Sequence, residues 1–400
     1  MTKNKTGNSK FLKNYNQTGI LDLIRIHREI SRTELSRMTG LSPTASGMIV
    51  SSLLEKGYIQ EKGIGESKGG RKPVMIELKP RSYYSIGIDM DTNYINAILV
   101  DITGDEVCEK SMYMENPPDF EWAAACIEKT VLDIMREFCI DSDALLGVGI
   151  SVPGMVDSET HEIVLAPNLG WKNVDLRSRL GKLSHVSVYV ENEAMASAIC
   201  ENWVGVCRGV ENFVCINIKS GIGAGIFTGG RLYRGASGSA GEVGHISVDE
   251  NGPLCGCGNY GCLETMASTR HIVERARKLV RQGIASKLNE FKDVEEITMD
   301  SIIQAAGQGD ESARNILVES ARYLGIAISS IVNTLNPSQI VLGKEFVKYS
   351  HIVMEHIKSI VSCKALKYPA ARVEIAASEI GEKASALGAA IIPLKVLFGR

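Results

Sequence analysis

One segment restricts this chain more than any other. It reads Gly241-Glu242-Val243-Gly244-His245, followed by Cys255-Gly256-Cys257-Gly258-Asn259-Tyr260-Gly261-Cys262-Leu263-Glu264. One histidine and three cysteines fall within eighteen residues, with glycines between them. Glycine reaches backbone conformations closed to other residues, so the chain can curl until three sulfurs converge on one point. A His and three Cys at this spacing match a tetrahedral Cys3His zinc site. Four protein ligands leave no open coordination position, so the expected ion is a structural Zn2+ held by His245, Cys255, Cys257 and Cys262. The alternatives are a redox thiol pair or four unrelated side chains. The other seven cysteines, Cys108, Cys126, Cys139, Cys200, Cys207, Cys215 and Cys363, read as ordinary core residues.

Length and composition set the frame around this segment. Four hundred residues, 44% hydrophobic and 23% charged, imply two or three globular domains with sizeable cores. No stretch approaches ~18 unbroken apolar residues, so no membrane span is expected. The opening Met1-Thr2-Lys3-Asn4-Lys5 lacks an apolar signal core, which points to the cytosol and reduced cysteines. The net charge of −3 hides an asymmetry: residues 1–80 hold 14 Lys and Arg against 7 Asp and Glu, the remainder 30 against 40. A basic head on an acidic body suggests a polyanion-binding module attached to something else.

The head has helical patterning from near Gln17, where Ile20, Leu21, Leu23 and Ile24 form an apolar face. Ser31 and Glu34 make a capping box for a short second helix ending near Met38. After the turn Thr39-Gly40-Leu41, Ser42 caps a third helix with Pro43 in its first turn and Gly57 past its end. Ala45, Ile49 and Leu53 are expected inward, leaving Ser42, Thr44, Ser46 and Gly47 outward near the helix start. Two helices joined by a Gly-containing turn predict a helix-turn-helix whose second helix enters the major groove. Strand-like Tyr58–Gln60 and Val74–Leu78 flank a loop, 63–72, rich in Gly and Lys. It reads as the wing of a winged helix, with Lys68, Arg71 and Lys72 supplying charge to DNA phosphates. The alternative is a three-helix bundle used only for packing. Hydroxyls on the third helix suit phosphates better than base edges, so the operator sequence is not legible.

The body changes pattern. Strands are expected at 85–91, 94–101 and 106–113, a helix at 120–138 and a buried strand at 145–152. A similar layout returns at 212–219, 223–228 and 231–233, which predicts a duplicated α/β fold with a ligand cleft between two lobes. Two unrelated α/β domains are the alternative. Glu191-Asn192-Glu193 ends the predicted strand 186–190, Asn168 lies in the loop Pro167–Trp171, and Glu242 and Glu264 bracket the Cys/His segment. Amides, carboxylates and an imidazole suit paired hydrogen bonds to sugar hydroxyls, although each alone reads more simply as a cap or surface residue.

These residues carry a resemblance. The body resembles the ROK family (repressors, open reading frames and sugar kinases) over essentially its whole length. The matches are Val152-Pro153-Gly154, Pro167-Asn168-Leu169-Gly170-Trp171, Glu191-Asn192-Glu193-Ala194, Ser220–Gly225, the Glu242–Glu264 segment and Asn336-Pro337. With a winged helix in front, the chain is most similar to that family's sugar-responsive repressors, the xylose repressors above all. The resemblance implies an actin-like, sugar-kinase-like body of two lobes. It also implies a monosaccharide held by Asn192, Glu193, Glu242, His245 and Glu264, with Asn168 beside them. His245 would bind zinc through one ring nitrogen and a sugar hydroxyl through the other.

Departures from the kinase members decide the expected activity. Their Asp-x-Gly-Gly-Thr phosphate turn reads Asp89-Met90-Asp91-Thr92-Asn93 here, without glycine and with an added carboxylate. The position of their catalytic Asp holds Glu193, one methylene longer. Lys219-Ser220-Gly221 stands where they have Gly-Thr-Gly, and Gly343-Lys344 interrupts a Gly-Gly pair. The expectation is therefore a repressor with no catalytic residues; the alternative is an active ATP-dependent sugar kinase carrying a DNA-binding head. The expected domains are a winged helix at 1–80 and a ROK body at 84–400, with lobes at 84–199 plus 385–400 and at 200–384. Expected partners are double-stranded operator DNA and xylose, glucose or a related sugar. A homodimer, or a dimer of dimers, follows from two half-sites.

Overall fold

Two segments with every residue buried, Phe213–Ile218 and Gln339–Lys344, pair in parallel at the centre of a five-stranded sheet. Burial on both faces is the rule for parallel strands covered by helices, and it explains their near-continuous apolar sequence. The structure is a computed structural model that describes residues 9–64, 73–114, 117–183 and 185–399. It divides into two compact units, one of residues 1–152, 167–190 and 389–400, the other of residues 153–166 and 191–388.

The two five-stranded sheets have one topology. The first runs Val188–Asn192, Leu145–Val152, Tyr84–Met90, Tyr94–Asp101, Glu106–Tyr113. The second runs Glu374–Ala377, Gln339–Lys344, Phe213–Ile218, Ile222–Thr228, Arg231–Tyr233. In each, the earliest of its first three strands lies centrally, antiparallel to the next and parallel to a strand that arrives later. The second sheet is covered by the helices Glu311–Leu335 and Phe346–Lys364, whose Leu317, Leu324, Ile328, Tyr349, Val353 and Ile357 are buried in one core. Asp310 caps the first of these helices at the Ala313 N–H, and Asn336 ends it in the left-handed region before Pro337. Glu311–Leu335 is also the one helix among the described residues long and apolar enough to cross a membrane, but two-thirds of its apolar window is buried in this core.

Unit boundaries differ from the expected 199/200 and 384/385. Helix Glu193–Trp203 belongs with the second sheet because Gly225 lets it approach: a Cβ there would meet the Ala198 Cβ at 2.4 Å. Gly388 packs in the same way against the Ala196 carbonyl, carrying 384–388 into that unit. The described residues before 80 pack with the first unit, where the Tyr83 hydroxyl donates to the Lys56 carbonyl at 2.7 Å. The cysteine expectation is corrected in part. Cys200, Cys207 and Cys215 are buried, Cys108 and Cys126 half-buried, and Cys139 and Cys363 exposed, since both lie at the ends of amphipathic helices facing water.

Three helices, Ser9–His27, Arg32–Thr39 and Pro43–Glu55, accompany a small antiparallel sheet of Ile30–Ser31, Val74–Leu78 and Ile59–Ile64, the first strand lying between the first two helices. The first helix starts eight residues before the apolar pattern does. The Ser31–Glu34 capping box and the Ser42 cap are both present. One outward assignment is corrected. Ser46 is 1% exposed and shares the buried stripe with Val50 and Leu53, while Ala45 and Ile49 are half-buried. Both stripes pass through Leu53, and the true one is rotated by one residue, about 100°. Ser42 and Thr44 are exposed, Gly47 is half-buried, and Met48 is the outward residue that sequence reasoning missed. Lys68, Arg71 and Lys72 lie outside the described residues.

The Ser46 hydroxyl is buried without a hydrogen-bond partner among the described residues. Ser46→Ala is therefore expected to stabilise the protein by about 1 kcal/mol, the order of an uncompensated buried hydroxyl. Urea denaturation checks this, and an equal loss of stability would refute the inward placement.

Candidate metal centre and ligand site

Strand Ile222–Thr228 of the second unit is approached by three segments at backbone distance. The first is helix Glu193–Trp203, whose Ala194 carbonyl would lie 2.6 Å from a Cβ on Gly225. The second is Gly241–His245. Gly241 has φ +99°, and a Cβ on it would fall 1.9 Å from the Ala224 carbonyl oxygen, so no other residue fits. The third is Cys262–Glu264, where the Glu264 carboxylate accepts the Ile222 N–H at 3.2 Å. Gly221 leaves room for that carboxylate: a Cβ would stand 2.8 Å from it.

The segment 241–264 gathers the four expected metal ligands. A ring nitrogen of His245 and the sulfurs of Cys255, Cys257 and Cys262 all lie within 4.8 Å of one another. Cys257 Sγ is 3.7 Å from Cys262 Sγ, and Cys255 Sγ is 3.7 Å from His245 Nδ1. Two thiolates on a tetrahedral zinc with ~2.3 Å bonds lie about 3.8 Å apart, and a thiolate and an imidazole nitrogen about 3.6 Å. The donor set and the spacings fit zinc. Burial pushes the Cys255 thiol up and the Cys262 thiol up to about 12, while hydrogen bonds led by the Asn259 N–H hold Cys257 below its ordinary value. A bound zinc would supply the charge that keeps all three as thiolates and would lock the ring of His245.

With Nδ1 on the cysteine side, His245 Nε2 lies 3.9 Å from Glu242 Oε2. Desolvation raises the Glu242 carboxyl, His245 lowers it and Glu264 adds a further rise. Asn192 differs from a free ligand group. Its carbonyl oxygen caps helix Glu193–Trp203 through the Ala194 and Met195 N–H groups, and its NH2 donates to the Gly154 carbonyl at 2.8 Å. One side-chain N–H is left for a ligand. Glu193 is the first residue of that helix, half-buried, and its carbonyl accepts from Ser385 at 3.2 Å. Asn168 sits exposed in the turn Pro167–Leu169 of the first unit. Sequence reasoning missed Arg234, whose guanidinium holds the buried carboxylate of Glu191; 43 residues separate the two and no motif links them.

The two turns expected to differ from the kinase members lie one in each unit. In the first, Asp91 is 4% exposed and accepts the N–H of Thr92 at 2.6 Å, so a carboxylate sits inside the turn. In the second, Lys344 is fully buried at φ +60°, a conformation that favours glycine, and its Nζ donates to the Glu382 carbonyl.

The ROK family model matches residues 85–396. The chain belongs to the ROK family. A xylose repressor of Caldicellulosiruptor bescii is 34% identical over 382 residues, covering 96% of each chain. Among solved structures, a ROK family transcriptional regulator, homolog of the Escherichia coli Mlc protein, superposes with TM-score 0.84 at 28% identity over 97% of both chains. A ROK glucokinase from Streptomyces griseus, in complex with glucose and AMPPNP, gives TM-score 0.67 at 29% identity, covering 77% of this chain and 98% of its own. This ROK chain thus has the mixed α/β, sugar-kinase-like body of its relatives.

Purified protein is expected to carry about one zinc per chain, and Cys257→Ser to lose it. Zinc added to chelated protein at pH 7 should release roughly two to three protons, because Cys255 and Cys262 hold theirs without metal. Metal analysis and a pH-stat titration check both, and release of no protons would exclude thiolate ligation.

Proposed function

We propose that this protein is a sugar-responsive, DNA-binding transcriptional repressor of carbohydrate-utilisation genes, with a winged helix at 1–80 and a non-catalytic body at 84–400. The observation that carries this reading is the likeness along the whole chain to a regulator, against a kinase match that leaves about a quarter of the chain uncovered. Ser42, Thr44 and Gly47 at the start of the third helix contact the DNA backbone, with Lys68, Arg71 and Lys72 of the wing. In this reading the protein works in the cytoplasm as a homodimer, one winged helix on each of two half-sites.

The sugar lies against Glu242, His245 and Glu264, with Glu193 and Asn192 completing its contacts. Zinc on His245 Nδ1 keeps Nε2 directed toward Glu242, which supports an imidazole and a carboxylate sharing neighbouring sugar hydroxyls. Xylose is the favoured effector, from the xylose repressor, and glucose is second, from the glucokinase complex.

A kinase reading is disfavoured by three local features. The Asp91 carboxylate repels phosphate, Glu193 displaces a general base by one methylene, and Lys344 occupies a left-handed position that glycine would hold without strain. Sugar-dependent ADP release is expected to stay far below ~1 per second for hexoses and pentoses, and turnover near that rate would make the protein a kinase.

Sugar is expected to change operator affinity by about 5- to 150-fold, with operator weakening or strengthening sugar binding by the same factor. Glu242→Ala should abolish the response and keep DNA affinity; Arg71→Ala should do the reverse. Operator affinity at fixed salt, with and without saturating xylose or glucose, tests this. Sugar binding that leaves operator affinity unaltered would refute it.

A further inference from the structure

The carboxylate of Glu191 is 4% exposed, at the end of strand Val188–Asn192. Burying a carboxylate is costly unless it is paired and its oxygens are satisfied. Both conditions are met. Arg234 Nη1 donates to Oε1 at 3.0 Å and Nη2 donates to Oε2, the two-pronged geometry that lysine cannot reproduce. Oε1 also accepts the backbone N–H of Asn192 at 3.0 Å. The guanidinium thereby fixes the strand-to-helix turn that delivers Asn192 and Glu193.

Arg234 is tied equally to the other side of the site. It follows strand Arg231–Tyr233 and opens the loop that runs to Gly241, closed on itself where the Ala240 N–H donates to the Arg234 carbonyl at 3.1 Å. The next residue after that loop is Glu242, and His245 follows three further on. One residue therefore holds two arms, Asn192–Glu193 through its side chain and Glu242–His245 through its backbone.

We propose that Arg234 is a positioning residue for the sugar site, setting the separation of these two arms through its fork on Glu191. The proposal rests on reading the arms as a sugar site. Arg234 touches no sugar in this scheme; it acts through Glu191 and Asn192. A displacement of about 1 Å in such an arm is enough to cost a large factor in function.

The test uses the full-length protein and calorimetric titration with D-xylose, D-glucose and N-acetyl-D-glucosamine. Arg234→Lys keeps the charge and loses the fork. It is expected to weaken binding of whichever sugar the parent takes by about tenfold or more, with zinc content and sugar-free operator affinity as in the parent. The double variant Glu191→Met with Arg234→Met removes both charges; thermal stability is expected to recover without sugar affinity. Hydrogen exchange needs no sugar: Arg234→Lys should speed exchange at both 191–195 and 241–246. Parent-like sugar affinity in Arg234→Lys or in the double variant overturns the proposal, as does unaltered exchange in both segments. Glu242→Ala separates the two readings. If that variant still binds sugar while Arg234→Lys exchanges faster in both arms, the sugar-site reading fails and the fastening of the arms by Arg234 stands.

Discussion

Close backbone approach to a single strand is the constraint on which the second unit depends. Strand Ile222–Thr228 reads Ile-Gly-Ala-Gly-Ile-Phe-Thr, and its small residues admit helix Glu193–Trp203 on one side and Gly241–His245 on another. The glycines at 241 and 244 meet it in turn, each with its Cα against a carbonyl oxygen where a Cβ would collide. A side chain at any of these contacts would push an arm outward by the width of a methyl group. The Cys/His cluster, the carboxylates and the helix-capping amide would then no longer share one region. Packing at backbone distance here does what a larger protein interface does with side chains: it removes slack.

The same constraint explains why one body serves regulators and kinases. Geometry around His245 is set by the glycines and the cysteine cluster, none of which depends on phosphate chemistry. The turns expected to differ from the kinase members, at Asp91 and Lys344, lie outside that cluster. Asp91 now turns its carboxylate onto its own backbone, and Lys344 is buried where glycine would be at ease. A shared fold does not fix the activity, so function has to be argued from the site.

Much of the local structure was legible. Strands 94–101, 106–113, 145–152 and 231–233 coincide with the expected ones because the turns between them, Thr103-Gly104-Asp105 and Gly229-Gly230 among them, mark their ends. Both caps in the head were readable, since a hydroxyl three residues before its N–H partner is a local event. The Cys/His cluster was readable for the same reason: its four residues lie within eighteen positions, and the glycines between them let so short a stretch fold back on itself.

What the sequence could not decide were matters of orientation and of distance along the chain. Ser46 and Ala45 differ by one helical position, and either stripe keeps Leu53 inside; only the packing of Val50 chose between them. Asn192 looked like a ligand group until its amide proved to be engaged by the start of its own helix and by Gly154, 38 residues earlier. The partnership of Glu191 with Arg234 needed the strand end and the loop after Tyr233 to meet in space. Sequence by itself determined most elements, the caps in the head and the Cys/His cluster, because each follows from contacts between near neighbours. Tertiary structure alone decided which polar side chains remain available to a ligand, because that depends on the distant backbone groups that claim them first.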